Sequence, residues 1–143
     1  FHDGIDVIRE IVKRRADLKL FEEKVLEHLI QYTGGSLRDL FHAVNASSKR
    51  AERRESDAIS MEDAERALEE LKTSLTRRIE KKDYSFLLNI YEGSKEMIED
   101  KEMLLKMLQA SVVLEYNGTR WHNVHPLVVR FFKEQGLIQD VRK

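Results

Sequence analysis

The chain has 143 residues with no Cys, one Pro and six Gly, and its 25 Lys+Arg against 26 Asp+Glu leave a net charge of −1. That excludes a disulfide scaffold, a thiol nucleophile, a Cys-based zinc site and a collagen-like chain, and no apolar run is long enough to span a membrane. With 41% hydrophobic and 36% charged residues, the composition allows a real core and favours helices over sheets. Zero Cys fits a reducing, cytoplasmic setting, and a start at Phe1 reads as a fragment or processed product.

Helical periodicity comes first. Residues 4–15 place Ile5, Ile8 and Val12 on one face with Val7 and Ile11 beside them, and Asp3 is the expected cap. Residues 21–32 repeat Phe21, Val25 and Leu29, with Leu26 and Ile30 alongside. Gly34 and Gly35 are expected to end that helix, because glycine accepts the left-handed conformation beyond a helix C-terminus. Ser36 then restarts a helix with Asp39 three residues on, a spacing like that of a capping box. Its apolar stripe is Leu37, Leu40, Phe41 and Val44. Ser60 and Asp63 repeat that start for a fourth helix, striped by Met61, Ala64, Leu68, Leu71 and Leu75.

The pattern changes after Leu75. Residues 72–82 read as a basic helical connector carrying Arg77, Arg78, Lys81 and Lys82. Tyr84, Leu87, Leu88 and Tyr91 predict a helix broken by Gly93, and Leu104, Leu105 and Leu108 predict another near residues 101–110. Two β-prone runs, 112–116 and 119–124, flank Asn117-Gly118, the strongest short hairpin signal. Pro126 marks a helix start, Leu127, Val128, Phe131 and Phe132 its apolar face, and Gly136 its end. Tyr116, Trp121, Phe131 and Phe132 are expected in the core, with Met103 and Met107 as gap fillers. Helix, helix, helix, two-stranded wing, helix is the order of a winged-helix module.

Little classical chemistry is available. No glycine is followed by Lys, so there is no phosphate-binding P-loop, and neither a GxSxG elbow nor an HExxH helix occurs. His122 and His125 are the one close His pair, but side chains three apart along a strand face opposite ways, and no metal site is expected. One constellation is sharper. Gly34-Gly35-Ser36-Leu37-Arg38 puts an arginine in the first turn of a helix, where backbone N–H groups and the helix dipole favour a phosphate. The alternative is that Arg38 simply pairs with a surface acid such as Asp39.

Residues 1–76 resemble the helical lid of AAA+ ATPases, closest to the origin-recognition and initiator branch. The likeness runs through residues 8–16, Gly35-Ser36-Leu37-Arg38-Asp39-Leu40, residues 46–52 and Ile59-Ser60-Met61-Glu62-Asp63-Ala64. The Gly-Gly-Ser-Leu lead-in departs from the Gly-Asp common in that family. Residues 77–143 are similar to the winged helix that follows such lids, and to tails of prokaryotic ATP-binding proteins. The expected fold is therefore a mostly α chain: a four-helix lid-like bundle, then a winged helix with one small β-hairpin. The resemblance implies that ATP and Mg are bound by an upstream P-loop domain, with Gly35 and Arg38 closing over the nucleotide. It gives Arg38 the sensor-2 role at the γ-phosphate. The fragment alone is not expected to be an enzyme; its parent is expected to be an ATPase.

For the winged helix, Lys101, Lys106 and Gln109 on the candidate recognition helix and Asn117 and Arg120 at the wing are the candidate contacts to double-stranded DNA. The charge balance argues only weakly for this. Residues 77–143 hold 12 basic and 10 acidic residues, against 13 and 16 in residues 1–76. A protein partner is the other possibility, and a membrane is not expected. The alternative function is a stand-alone winged-helix DNA-binding or protein-interaction adaptor with no ATPase role. A third is a helical interaction domain in which Arg38 is only a surface charge.

Overall fold

The structure is a computed structural model and describes residues 2–14, 18–93, 100–116 and 121–139. Its chain is mostly helical, with one two-stranded antiparallel sheet, and divides into two compact units, Phe1–Leu71 and Lys72–Lys143.

In the first unit, α1 (His2–Lys13) packs on α2 (Val25–Tyr32), and α2 packs on α3 (Leu37–Arg53). The helix α4 (Met61–Thr76) supplies Ala64, Ala67, Leu68 and Leu71 to the buried set. Small residues dominate the buried side of α3: Ala43, Ser47 and Ala51 recur at one-turn spacing. Ser47 Oγ donates to the Ala43 carbonyl at 2.7 Å, so its hydroxyl is satisfied without water. Leu29 and Ile30 of α2 are wholly buried. Burying a Leu or Ile side chain contributes about 1.5–3 kcal/mol, so these two residues of the α2 stripe stabilise the unit by several kcal/mol between them.

Helix ends follow the capping chemistry. Gly34 and Gly35 have φ of 64° and 86°, left-handed values that cost glycine little. Ser36 caps α3, its Oγ accepting from the Asp39 N–H at 3.3 Å. At α4 the exchange is reciprocal: Asp63 N–H donates to Ser60 Oγ at 3.2 Å, and Ser60 N–H donates to Asp63 Oδ2 at 3.0 Å. Arg54 then closes on the same carboxylate, its Nε 3.0 Å from Oδ1 and its Nη2 on Oδ2.

The second unit holds the last turn of α4, α5 (Tyr84–Glu92), α6 (Lys101–Gln109), β1 (Val113–Tyr116), β2 (Trp121–Val124) and α7 (Pro126–Glu134). The strands pair antiparallel in the register Val113↔Val124, Leu114↔Asn123, Glu115↔His122 and Tyr116↔Trp121. Helix α5 packs on β2, and α6 on β1. Met107, Val112, Leu127, Val128 and Phe132 are buried to 0% exposure, and Tyr84 meets Phe132 edge-on at 5.1 Å. Lys72, buried like few lysines, is neutralised by Glu134 at 2.6 Å. His125 caps α7 by accepting the Leu127 N–H on Nδ1 at 3.1 Å, with Pro126 at N1.

Several expectations need correction. The first helix starts before Asp3, which therefore lies inside it rather than at its N-cap. Phe21 is not helical. It forms a parallel bridge with Ile59, with Glu22 N–H donating to the Ile59 carbonyl at 3.0 Å and Ile59 N–H to the Leu20 carbonyl at 2.6 Å. Lys24, at φ 66°, then turns the chain into α2. Residues 72–82 are not one helix: α4 stops at Thr76 and a 3-10 turn, Lys81–Asp83, precedes α5. Leu37, Met61, Val7 and Leu105 are exposed rather than inward stripe residues, at 38%, 37%, 60% and 56%. The Asn117-Gly118 turn and the side chains of Tyr116 and Trp121 lie outside the described residues.

Candidate functional sites

The first candidate is the N-terminus of α3. Two left-handed glycines reverse the chain, Ser36 caps the helix and Arg38 falls in its first turn. The Arg38 side chain is 71% exposed and its Nε lies 3.9 Å from Asp39 Oδ1, while the Asp39 side chain is buried at 7%. A guanidinium beside a helix N-terminus suits an anion. The neighbouring carboxylate opposes that field, so the pair is weaker for anions than Arg38 alone. At 3.9 Å the contact is an electrostatic approach and not a hydrogen bond. Both sequence readings of Arg38 are therefore present in the geometry: an outward cation and a neighbouring acid.

The second candidate lies along α6. Asp100 caps the helix, accepting the Met103 N–H at 3.0 Å. Lys101 and Gln109 are exposed, and Lys106 is half exposed at 53%. Lys106 Nζ also approaches Asp83 Oδ1 at 3.9 Å. Asp83 is fully buried. Its Oδ2 accepts the Glu80 N–H at 2.8 Å within a capping box, and its Oδ1 has no hydrogen-bond partner. Lys106 thus faces solvent and also supplies counter-charge to a buried carboxylate. Asn117 and Arg120 lie outside the described residues.

The basic segment before α5 runs beside α6. Arg78 Nη1 donates to the Ala110 carbonyl at 2.8 Å, meeting an orphan acceptor at the α6 C-terminus. Lys82 pairs with Glu80 at 3.1 Å, and that hydrogen bond holds its pKa above the ordinary lysine value. In the first unit the Arg54 hydrogen bonds draw the Asp63 pKa down to about 2, against the opposing effect of burial, and raise that of Arg54 in return.

The histidines are structural in geometry. His122 sits buried opposite Glu115 across the hairpin, its Nε2 3.5 Å from Glu115 Oε1. His125 Nδ1 is spent on the α7 cap. Among the described residues no group of three His, Cys, Asp or Glu is arranged to hold a metal ion, and no helix is long and apolar enough to cross a membrane.

The Asp83–Lys106 pair and the Arg54 clamp on Asp63 were not foreseen from sequence. Glu80 three residues before Asp83, ahead of an apolar run, marks the capping box that holds Asp83, but its approach to Lys106 has no local signal. The second joins a helix end to a helix start nine residues on, which no local spacing rule marks.

No family model, curated protein or solved structure matches the chain.

Proposed function

We propose that the chain is the lid and winged-helix portion of a AAA+ ATPase. In this reading an upstream P-loop domain binds ATP and Mg, residues 1–76 close over the nucleotide, and residues 77–143 carry the nucleotide state to DNA or to a protein partner. The observation that supports it most is the α3 start: a left-handed Gly34-Gly35 pair, a Ser36 cap and an outward Arg38 in the first turn. The order α5, α6, hairpin, α7 supports the winged-helix part.

The residues present fit a phosphate rather than a metal. Arg38 offers a fork of donors on an exposed arm, and the helix terminus adds a partial positive charge. In this reading Mg would be held by the upstream P-loop domain, where it would neutralise phosphate charge. Arg38 then adds a positioned cation where negative charge develops during phosphoryl transfer. Gly34 and Gly35 hold the left-handed turn that precedes the Ser36 cap, and Arg38 is exposed in the helical turn that follows.

The approach of Asp39 to Arg38 favours the third reading, a helical interaction domain in which Arg38 is a surface charge. ATP hydrolysis by the longer protein separates the two, with wild type set against Arg38→Ala and nucleotide binding measured separately. Retained binding with a large loss of turnover is the expected result. Unchanged turnover, or a longer protein that binds no ATP, overturns the sensor role and leaves a winged-helix binding module.

A further inference from the structure

The sequence holds two basic runs of the same strength, residues 49–54 and residues 77–82, each with four cations and one acid. The structure separates them. In the first run Arg50 is taken by Glu70 at 2.5 Å and Arg54 by Asp63, both acids of α4, while Lys49 and Arg53 are exposed with no ion pair among the described residues; the two runs therefore differ by one neutralised cation. In the second, Glu80 is the one acid in ion-pair contact with a cation of the run among the described residues, at Lys82, which Asp83 also attracts. Arg78 is spent on a neutral carbonyl, which anchors the run without cancelling its charge. Arg77 and Lys81 are exposed and form no ion pair among the described residues. The Arg78–Ala110 bond and the Lys106–Asp83 approach hold this segment along α6, whose outward Lys101 and Gln109 are the candidate groove contacts.

We propose that residues 77–82 form a phosphate-contacting strap for duplex DNA, in which Arg77, Lys81 and Lys82 neutralise backbone phosphates beside α6. The proposal rests on the reading of residues 77–143 as a DNA-engaging winged helix. An exposed cationic segment braced against a helix provides sequence-independent affinity, and the helix provides register and base contact. Arg78 and Lys106 are positioning residues: the first fixes the strap to α6, and the second balances the buried Asp83 under it.

The test is fluorescence anisotropy of the full chain with duplexes of several sequences, across a salt series. Arg77→Gln/Lys81→Gln/Lys82→Gln is set against Lys101→Gln/Gln109→Ala, with thermal melts of both as a folding control. Each phosphate contact contributes about −0.9 to the slope of log affinity on log salt, so losing three lowers the slope by about 2.7. The salt-induced affinity loss between about 50 and 200 mM is then roughly 40-fold smaller for the strap variant, equally for every sequence. That result with an unchanged Lys101/Gln109 variant keeps the strap and overturns the groove role of α6. A strap variant with wild-type slope overturns the strap, and the α6 reading stands if the Lys101/Gln109 variant weakens. No duplex binding by the wild-type chain at low salt overturns both. Displacement of duplex by polyglutamate at equal charge overturns the assignment to phosphodiesters and points to an acidic protein.

Discussion

Asp63 offers the cleanest test of the electrostatics. It is buried at 4% exposure, shares a capping box with Ser60 and is clamped by Arg54. Those hydrogen bonds take its pKa from 3.8 to about 2. A shift of that size corresponds to about 2 kcal/mol, and the half-exposed partner discounts it to roughly 1–2 kcal/mol. Because the folded-state value is depressed, the contribution is complete above the unfolded value near 3.8 and drains away as pH falls through about 2. Asp63→Asn removes the charge but leaves an oxygen able to accept the Ser60 N–H. Asp63→Ala removes both and costs about 1 kcal/mol more, the usual loss of a cap. Urea unfolding followed by circular dichroism, from pH 7 down to pH 2, measures both. The Asn variant should be less stable than wild type at pH 7 and within a few tenths of a kcal/mol of it at pH 2. A gap that stays constant with pH refutes the charge argument, and an Ala variant as stable as Asn refutes the capping one.

Three further outcomes are expected. Lys106→Met should destabilise the chain by removing the counter-charge of the buried Asp83, and should cost less once Asp83→Ala has removed that carboxylate; a double-mutant cycle by urea unfolding shows it, and additive losses would refute the pairing. Gly136 has φ 76° and open space around the position a Cβ would take, so Gly136→Ala should cost only its backbone strain, about 1–2 kcal/mol; a thermal melt without any decrease refutes that. Arg38→Ala should leave the melting temperature unchanged, since its side chain is 71% exposed, so any loss of ATP turnover in the longer protein is not a loss of fold.

The sequence was most legible where the backbone itself was being satisfied. Ser36 with Asp39, Ser60 with Asp63, Gly34-Gly35 and Pro126 all announce helix ends by local chemistry, and each stands where the spacing put it. Both strands of the hairpin also emerge from their β-branched and aromatic runs. What failed was non-local. Phe21 fits the helical stripe of α2 perfectly well, but its backbone neighbours bond residue 59, and that bridge outbids one more helical turn. Leu37 and Met61 open amphipathic helices, yet a side chain at the first helical position points back over the helix N-terminus, and these two miss the core. The candidate site was legible to the same extent: Arg38 could be placed in a first turn from its cap, whereas the commitment of Lys106 to Asp83 depends on two segments 23 residues apart.

A near-neutral chain hides its functional cations, because net charge counts residues and not their partners. What separates these cations is the acid each one meets. Arg50 and Arg54 face carboxylates of α4 and are consumed in holding the first unit together. Arg38 has a buried acid at the edge of contact, which keeps it outward but reduces its pull on an anion. Lys106 is divided between a buried carboxylate and solvent. Arg77 and Lys81 meet no acid among the described residues and keep their full charge for a partner. Ranked this way, binding by the second unit should lose most from changes at 77 and 81, less at 82 and least at 106, where substitution reads out first as lost stability. An inverted order in the anisotropy series would mean that folded-state pairing does not govern how much each cation contributes to binding.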